Sequence, residues 1–155
     1  MSDWERENVH KTSVEEAVVM PPFPRGAKLI EFPLADAGGF RFFIDGGTLS
    51  VGKDGVVRYT LVAQSPSGVR NVTYEGLRCQ SVEHRLYATG RADNTWVPSR
   101  SGWQPMHNSR PWQRSLYREY FCPQKLPIRD ADEGVRALQA GGHPFSKGFS
   151  PNLGL

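Results

Sequence analysis

The residues best suited to chemistry lie on two neighbouring segments in the middle of the chain. Arg85 and Tyr87 fall on one predicted strand, Arg91 and Asp93 on the turn after it, and Glu75 on the strand before. Alternate residues of a strand point to the same face, so Arg85 and Tyr87 should point together, and Glu75 could face them. Such a group could bind an anion or polarise a carbonyl group. The same residue types also form solvated charge pairs between strands.

No motif of a known catalytic class accompanies this group. The chain contains neither a G-x-S-x-G segment nor an H-E-x-x-H segment. Three of its histidines, His10, His107 and His143, have no metal-ligand spacing between them, and we expect them at the surface. The sequence therefore predicts no catalytic residue, no metal site and no cofactor.

The cysteines Cys79 and Cys122 are the other reactive pair, one at the end of a predicted strand and one at the end of a predicted helix. A disulfide between them would stabilise the fold by about 3 to 4 kcal/mol in the chain-entropy model. Two separate buried thiols, the usual state in a reducing cytosol, fit the residues equally well. A zinc site is not expected, because neither cysteine has a cysteine or histidine two to four residues away.

Short β-rich runs separated by turn residues must position these side chains. They are typical of an antiparallel meander curled into an open barrel or a sandwich. The predicted strands are Lys28–Pro33, Phe40–Ile44, Thr48–Val51, Val56–Gln64, Val69–Leu77 and Glu83–Thr89. Turns at Asp54-Gly55 and at 65–68 predict a meander over residues 48–78. In the strand that contains Arg58 and Thr60, we expect the odd positions to face the core and these two to face a wetter side.

Two short helices should follow and pack on the sheet. Ser109 before Pro111 resembles a helix cap, and Asp130 with Glu133 resembles a capping box. The apolar stripe of the first helix comprises Trp112, Leu116, Tyr120 and Phe121. Gly141 should end the second helix. The fold class is thus α+β, mainly antiparallel β.

The length of 155 residues and the composition, with 38% apolar and 23% charged residues, fit one folded domain. We divide the chain into an extended, proline-rich arm at 1–26, a β-rich domain at 27–142 and a tail at 143–155. The net charge of +3 is spread along the sequence, so nucleic acid is not an expected partner. No apolar run approaches the ~20 residues of a membrane span.

Aromatic residues in the two terminal segments have no local core in the sequence pattern. They are Trp4 and Phe23 at one end, and Phe145 and Phe149 at the other. Segments of this kind often become ordered on a partner. They are candidate partner-docking arms.

Several strings of residues resemble the cryptic neisserial protein-like family. The likeness runs from about Pro21 to His143. The strings are those at 40–45, 48–52, 54–62, 71–79, 85–93, 120–123 and 130–142. The family consists of bacterial envelope proteins without an assigned activity, whose members typically begin with a secretion or lipoprotein signal.

The resemblance implies a periplasmic or envelope location, where Cys79 and Cys122 would be bridged. The segment Met1–Glu7 does not read as a secretion signal. We therefore expect the family's signal to have been removed or to lie outside this sequence. The preferred hypothesis is an accessory protein that binds a protein partner in the cell envelope. The alternative is a small-ligand binder or enzyme that uses the polar cluster on the sheet, formed by Glu75, Arg85, Tyr87, Arg91 and Asp93. Membrane association would require a lipid anchor on the removed signal.

Overall fold

The computed structural model of the protein describes residues 15–146. Within them, the strands are β1 (Leu29–Phe32), β2 (Arg41–Asp45), β3 (Ser50–Val51), β4 (Val56–Gln64), β5 (Arg70–Arg78), β6 (Glu83–Gly90), β7 (Trp96–Pro98) and β8 (Gln104–Pro105). The helices are α1 (Pro111–Ser115), which continues into a π-helical segment at Leu116–Phe121, and α2 (Ala131–Ala140). Single 3-10 turns lie at Met106–Asn108 and Pro123–Lys125.

All eight of these strands join one antiparallel sheet in the order β1-β2-β4-β5-β6-β7. Strands β2 and β3 lie end to end along β4, and β7 and β8 lie end to end along β6. The predicted meander over residues 48–78 is confirmed, since β3, β4 and β5 pair in sequence. The expected barrel or sandwich is wrong, because the sheet is open and not strongly curled.

The first face of the sheet carries the main core. The odd positions of β4 are buried there together with Phe32, Ile44 and Leu77, as the alternation predicts. The predicted helical stripe packs against this face, and Leu116 and Phe121 are completely buried. Burying each such side chain contributes about 1.5 to 3 kcal/mol, so this core supplies much of the stability.

The helix caps agree with the sequence only in part. Asp130 caps α2 by accepting a hydrogen bond from the Glu133 backbone nitrogen at 2.9 Å. The Glu133 carboxylate, however, accepts from the Arg129 nitrogen at 2.8 Å and does not complete the predicted box. Ser109 is not the cap of α1. That position is Arg110, because the Ser109 hydroxyl donates to the Met106 carbonyl in the preceding 3-10 turn.

A disulfide joins Cys79 and Cys122, whose Cα atoms are 5.3 Å apart. Cys79 directly follows β5 and Cys122 directly follows the π-helical segment, so the bond fixes the helical layer to the sheet. In the described part of the chain, no helix is long and apolar enough to cross a membrane.

The second face of the sheet is also covered, contrary to the sequence-based expectation. Arg58 is 6% exposed and Thr60 is fully buried. Two further apolar clusters lie on this face, and partly buried residues of the N-terminal arm, Val18, Met20 and Phe23, pack against them. The described part of the N-terminal arm therefore forms a layer that covers the second face of the sheet.

Candidate functional site

Residues 15–24 of the arm pack on the second face, which we call the arm face. The Phe23 ring lies 4.9 Å from the Trp96 ring, and the Trp96 indole nitrogen donates to the Pro21 carbonyl at 3.0 Å. Gly90 permits this approach, because a Cβ atom there would lie 2.6 Å from the Phe23 ring. The described part of the arm thus has its own binding surface on the sheet.

Glu15 fastens the other end of the arm, and four side chains converge on its carboxylate. Arg58 donates to Oε2 at 2.7 Å, and the Tyr87 hydroxyl donates to the same oxygen. Arg85 donates to Oε1 at 2.8 Å, and the Trp103 indole nitrogen donates to it at 3.1 Å. We call these five residues the Glu15 clasp.

The charges around Glu15 balance, and most of the charged groups are buried, although the Arg85 side chain is 33% exposed. A second carboxylate, Asp54, accepts from Arg58 at 2.8 Å, so two carboxylates meet the guanidinium groups of Arg58 and Arg85. The side chains of Glu15, Asp54 and Arg58 are each less than a tenth exposed. The backbone nitrogen of Glu16 also donates to Asp54 at 2.8 Å, which ties the arm to the β3-β4 turn.

Each shifted pKa in the clasp stays away from neutrality. Burial alone would raise the pKa of Glu15, but hydrogen bonds from Tyr87 and Arg58 and the charges of Arg58 and Arg85 outweigh it, so this pKa lies below its ordinary 4.5. Burial, and then the hydrogen bond to Glu15, raise the pKa of Tyr87. A general acid or base works best with a pKa near the operating pH. These hydrogen bonds and ion pairs therefore stabilise the packing of the arm on the sheet.

The structure brings together only part of the predicted polar cluster. Arg85 and Tyr87 share the arm face, as expected. Glu75 pairs with Tyr59 of β4 and with Leu86 of β6, so its side chain points to the main-core face, away from Arg85 and Tyr87. A β-bulge between Tyr74 and Glu75 changes the β5-β6 register by one residue, so alternation within β6 alone could not show which β5 residues share the face of Arg85 and Tyr87.

Glu75 lies in the main core with 1% exposure. The Tyr59 hydroxyl donates to it at 2.7 Å, as does the Thr73 hydroxyl. The Trp112 indole nitrogen and the Gln113 amide also donate to it, each at 3.3 Å. Glu75 therefore connects β4 and β5 to α1.

Arg91 and Asp93 lie on the exposed turn between β6 and β7. Asp93 accepts from the Thr95 hydroxyl at 2.6 Å and from the Thr95 nitrogen at 3.2 Å, so its carboxylate stabilises the turn. Hydrogen bonding by Thr95 is also the main reason that the pKa of Asp93 is lowered.

Arg91 lines an open cavity of about 890 Å³ on the arm face, between the arm and the ends of β4, β5 and β6. We call this cavity the arginine groove. Its apolar lining includes Leu29, Val62 and Val72. Arg25 and Arg70 line it as well, and no aspartate or glutamate is among its lining residues.

The candidate docking arms are placed as follows. Phe23 is half-buried against Trp96, Phe145 is 58% exposed with its ring 5.5 Å from that of His143, and Trp4 and Phe149 lie outside the described residues. His143 itself is buried beside Glu133, so the expectation of a surface position is wrong for this histidine. His107 is exposed, and His10 lies outside the described residues.

Sequence reasoning missed the residues around which the arm is organised: Glu15, Asp54, Arg58 and Trp103. Arg58 did carry a signal, since it interrupts an otherwise apolar run in β4 and a charge in that position requires a partner. No comparable signal pointed to Glu15, because its partners are 43 and 70 positions away.

Comparison with known proteins gives one assignment. A model of the CNP1-like family matches residues 8–139. The chain belongs to this family. In this CNP1-like protein, the match includes the sheet, the disulfide and the described part of the arm. Neither a search of curated proteins nor a search of solved structures returned a significant match. Among residues 15–146, no group of three or more histidine, cysteine, aspartate or glutamate residues could hold a metal ion.

Proposed function

We propose that this CNP1-like protein is an accessory protein of the bacterial cell envelope that works by binding a protein partner. One observation carries the proposal: Arg85 and Tyr87 are bonded to Glu15 and Glu75 is bonded within the core, whereas the arginine groove is open and has no acidic residue in its lining. The arginine groove is therefore the surface better suited to binding a partner.

Two observations support the envelope as the location. The first is membership of the CNP1-like family. The second is the bond between Cys79 and Cys122, since structural disulfides persist in oxidising compartments and are rare in the cytosol. We also propose that a secretion signal exports the protein and that any membrane association depends on a lipid anchor carried by that signal.

The geometry does not favour the alternative of an enzyme or small-ligand binder that uses the predicted polar cluster. Arg85 and Tyr87 hold the arm through Glu15, and Glu75 is buried on the opposite face. Arg91 and Asp93 lie on the exposed turn beyond β6. These residues do not form one site.

Fractionation of the native bacterium, with free thiols alkylated at lysis and complexes fixed by a chemical crosslinker, tests the proposal. We expect the protein in the periplasmic or envelope fraction, with Cys79 and Cys122 protected from alkylation and with a second, different chain crosslinked to it. Alkylation of both cysteines in a cytosolic fraction would refute the location. Recovery of this chain alone from the envelope would refute the accessory role.

A further inference from the structure

The arginine groove has charges that the rest of the fold does not use. Arg25, Arg70 and Arg91 are all exposed, and among the described residues none of them makes an ion pair. Arg70 donates only to the neutral Gln64 side chain, at 3.0 Å. The nearby Asp93 is bonded to Thr95. The charge of Arg91 also lowers the pKa of Asp93, so among the described residues Arg25 and Arg70 are the groove's cations without a nearby carboxylate partner.

The floor of the groove is apolar and already ordered. Val62 and Val72 are 1% and 8% exposed, and they belong to the cluster that Phe23 and Leu29 complete. At the rim, Val69 is 60% exposed. An occupant would therefore meet positive charge around an apolar surface, and would gain most by offering an apolar side chain between anionic groups.

The three arginines come from separate segments: the arm, the start of β5 and the turn after β6. They surround the groove and remain exposed, whereas a site for one compact anion brings a few polar groups together in a mostly enclosed cavity. Three separated arginines are better suited to bind several carboxylates spaced along an extended peptide segment. Three arginines would neutralise too few phosphates to support strong binding of nucleic acid.

We propose that the arginine groove binds an acidic segment of a protein partner, with an apolar side chain of that segment packed against the exposed Val69 and the partly buried Phe23 and Leu29. This inference deepens the proposed function and rests on it. Because the arginines are exposed, their contribution falls with ionic strength and acts mainly on specificity and the association rate.

Selection of a random peptide library on the purified full chain tests the groove. We expect enrichment of peptides with acidic residues on both sides of an aliphatic or aromatic residue. Labelled copies of the selected peptides should bind the triple variant R25Q/R70Q/R91Q about tenfold more weakly or worse than the unchanged chain, and binding should weaken with added salt.

The matched control is R100Q/R118Q/R136Q, which changes three exposed arginines outside the groove. Each triple variant loses three positive charges, so both lower the net charge from +3 to 0. Retained binding by the control supports the groove. Equal losses in the two variants, or selected peptides without acidic residues, would overturn it. The purified chain gives this result without the cell, so failure here is separable from failure of the envelope role.

Discussion

The Glu15 carboxylate and the Arg58 guanidinium lie 2.7 Å apart, and each side chain is less than a tenth exposed. This ion pair connects the N-terminal arm to the centre of the sheet. Breaking a buried pair by removing one charge is costly, because the remaining charge loses both its partner and its water. The arm is therefore held by electrostatics at Glu15 and by aromatic packing at Phe23.

Neutralising Glu15 should loosen the arm and lower stability. We expect Glu15→Gln to reduce the free energy of unfolding by about 2 to 4 kcal/mol, since Arg58 and Arg85 lose a shared partner. Urea unfolding measures this change, and hydrogen exchange of residues 15–24 should increase. The control is Glu16→Gln. Glu16 is exposed and accepts from the Lys53 nitrogen, so its change should stay within about 0.5 kcal/mol. Equal effects of the two substitutions would contradict the clasp.

The clasp should also open in acid. The pKa of Glu15 lies below its ordinary 4.5, so its stabilising contribution is complete above 4.5 and is lost as the pH falls through the lowered value. We therefore expect the stability difference between the unchanged chain and Glu15→Gln to shrink in that range. The indole NMR signal of Trp103, which donates to Glu15, should titrate with a midpoint below 4.5. A Trp103 titration that persists in Glu15→Gln would show that another group is responsible.

Glu75 should be a structural residue of the core. Glu75→Ala leaves the buried donors of Tyr59, Trp112 and Gln113 without an acceptor, so we expect a loss of about 3 to 5 kcal/mol. Glu75→Gln keeps an acceptor and should lose about half as much. Chemical denaturation of the two variants tests this order. A loss below about 1 kcal/mol for Glu75→Ala would contradict this role.

The disulfide should stabilise the fold by closing a long loop. We expect the double variant C79A/C122A to lose about 3 to 4 kcal/mol in the free energy of unfolding. The unchanged chain should lose a similar amount under reducing conditions, and the double variant should not respond to the reductant. If reductant leaves the unchanged chain as stable as before, the bond does not contribute to folding.

The sequence predicted the local structure better than the way the layers assemble. Asp54-Gly55 located a turn and Asp130 a cap because each acts on its nearest neighbours. Alternation in β4 identified two faces of the strand, but it could not show that the arm covers the second one. The short strands β7 and β8 were missed, since two or three residues carry no period.

The site was harder to predict because it depends on strand register and on distant contacts. Whether Glu75 faces Arg85 depends on the register of β5 and β6, in which Arg85 lies opposite Gly76 and Glu75 opposite Leu86. Arg91 and Arg70 approach the same groove only because β5 and β6 pair, and Arg25 reaches it only because Phe23 packs on Trp96. Contacts between residues so far apart in the chain cannot be predicted from the pattern of one sequence.

Photocrosslinking in the native bacterium tests most directly whether the protein works by binding a partner at the arginine groove. A photoreactive amino acid would replace Val69 at the rim, or Asp132 on the exposed side of α2 as the control. We expect the Val69 probe to form an adduct with one discrete envelope protein, and this adduct to disappear in R25Q/R70Q/R91Q. No adduct from Val69 above that from Asp132, or an adduct unaffected by loss of the arginines, would contradict the account.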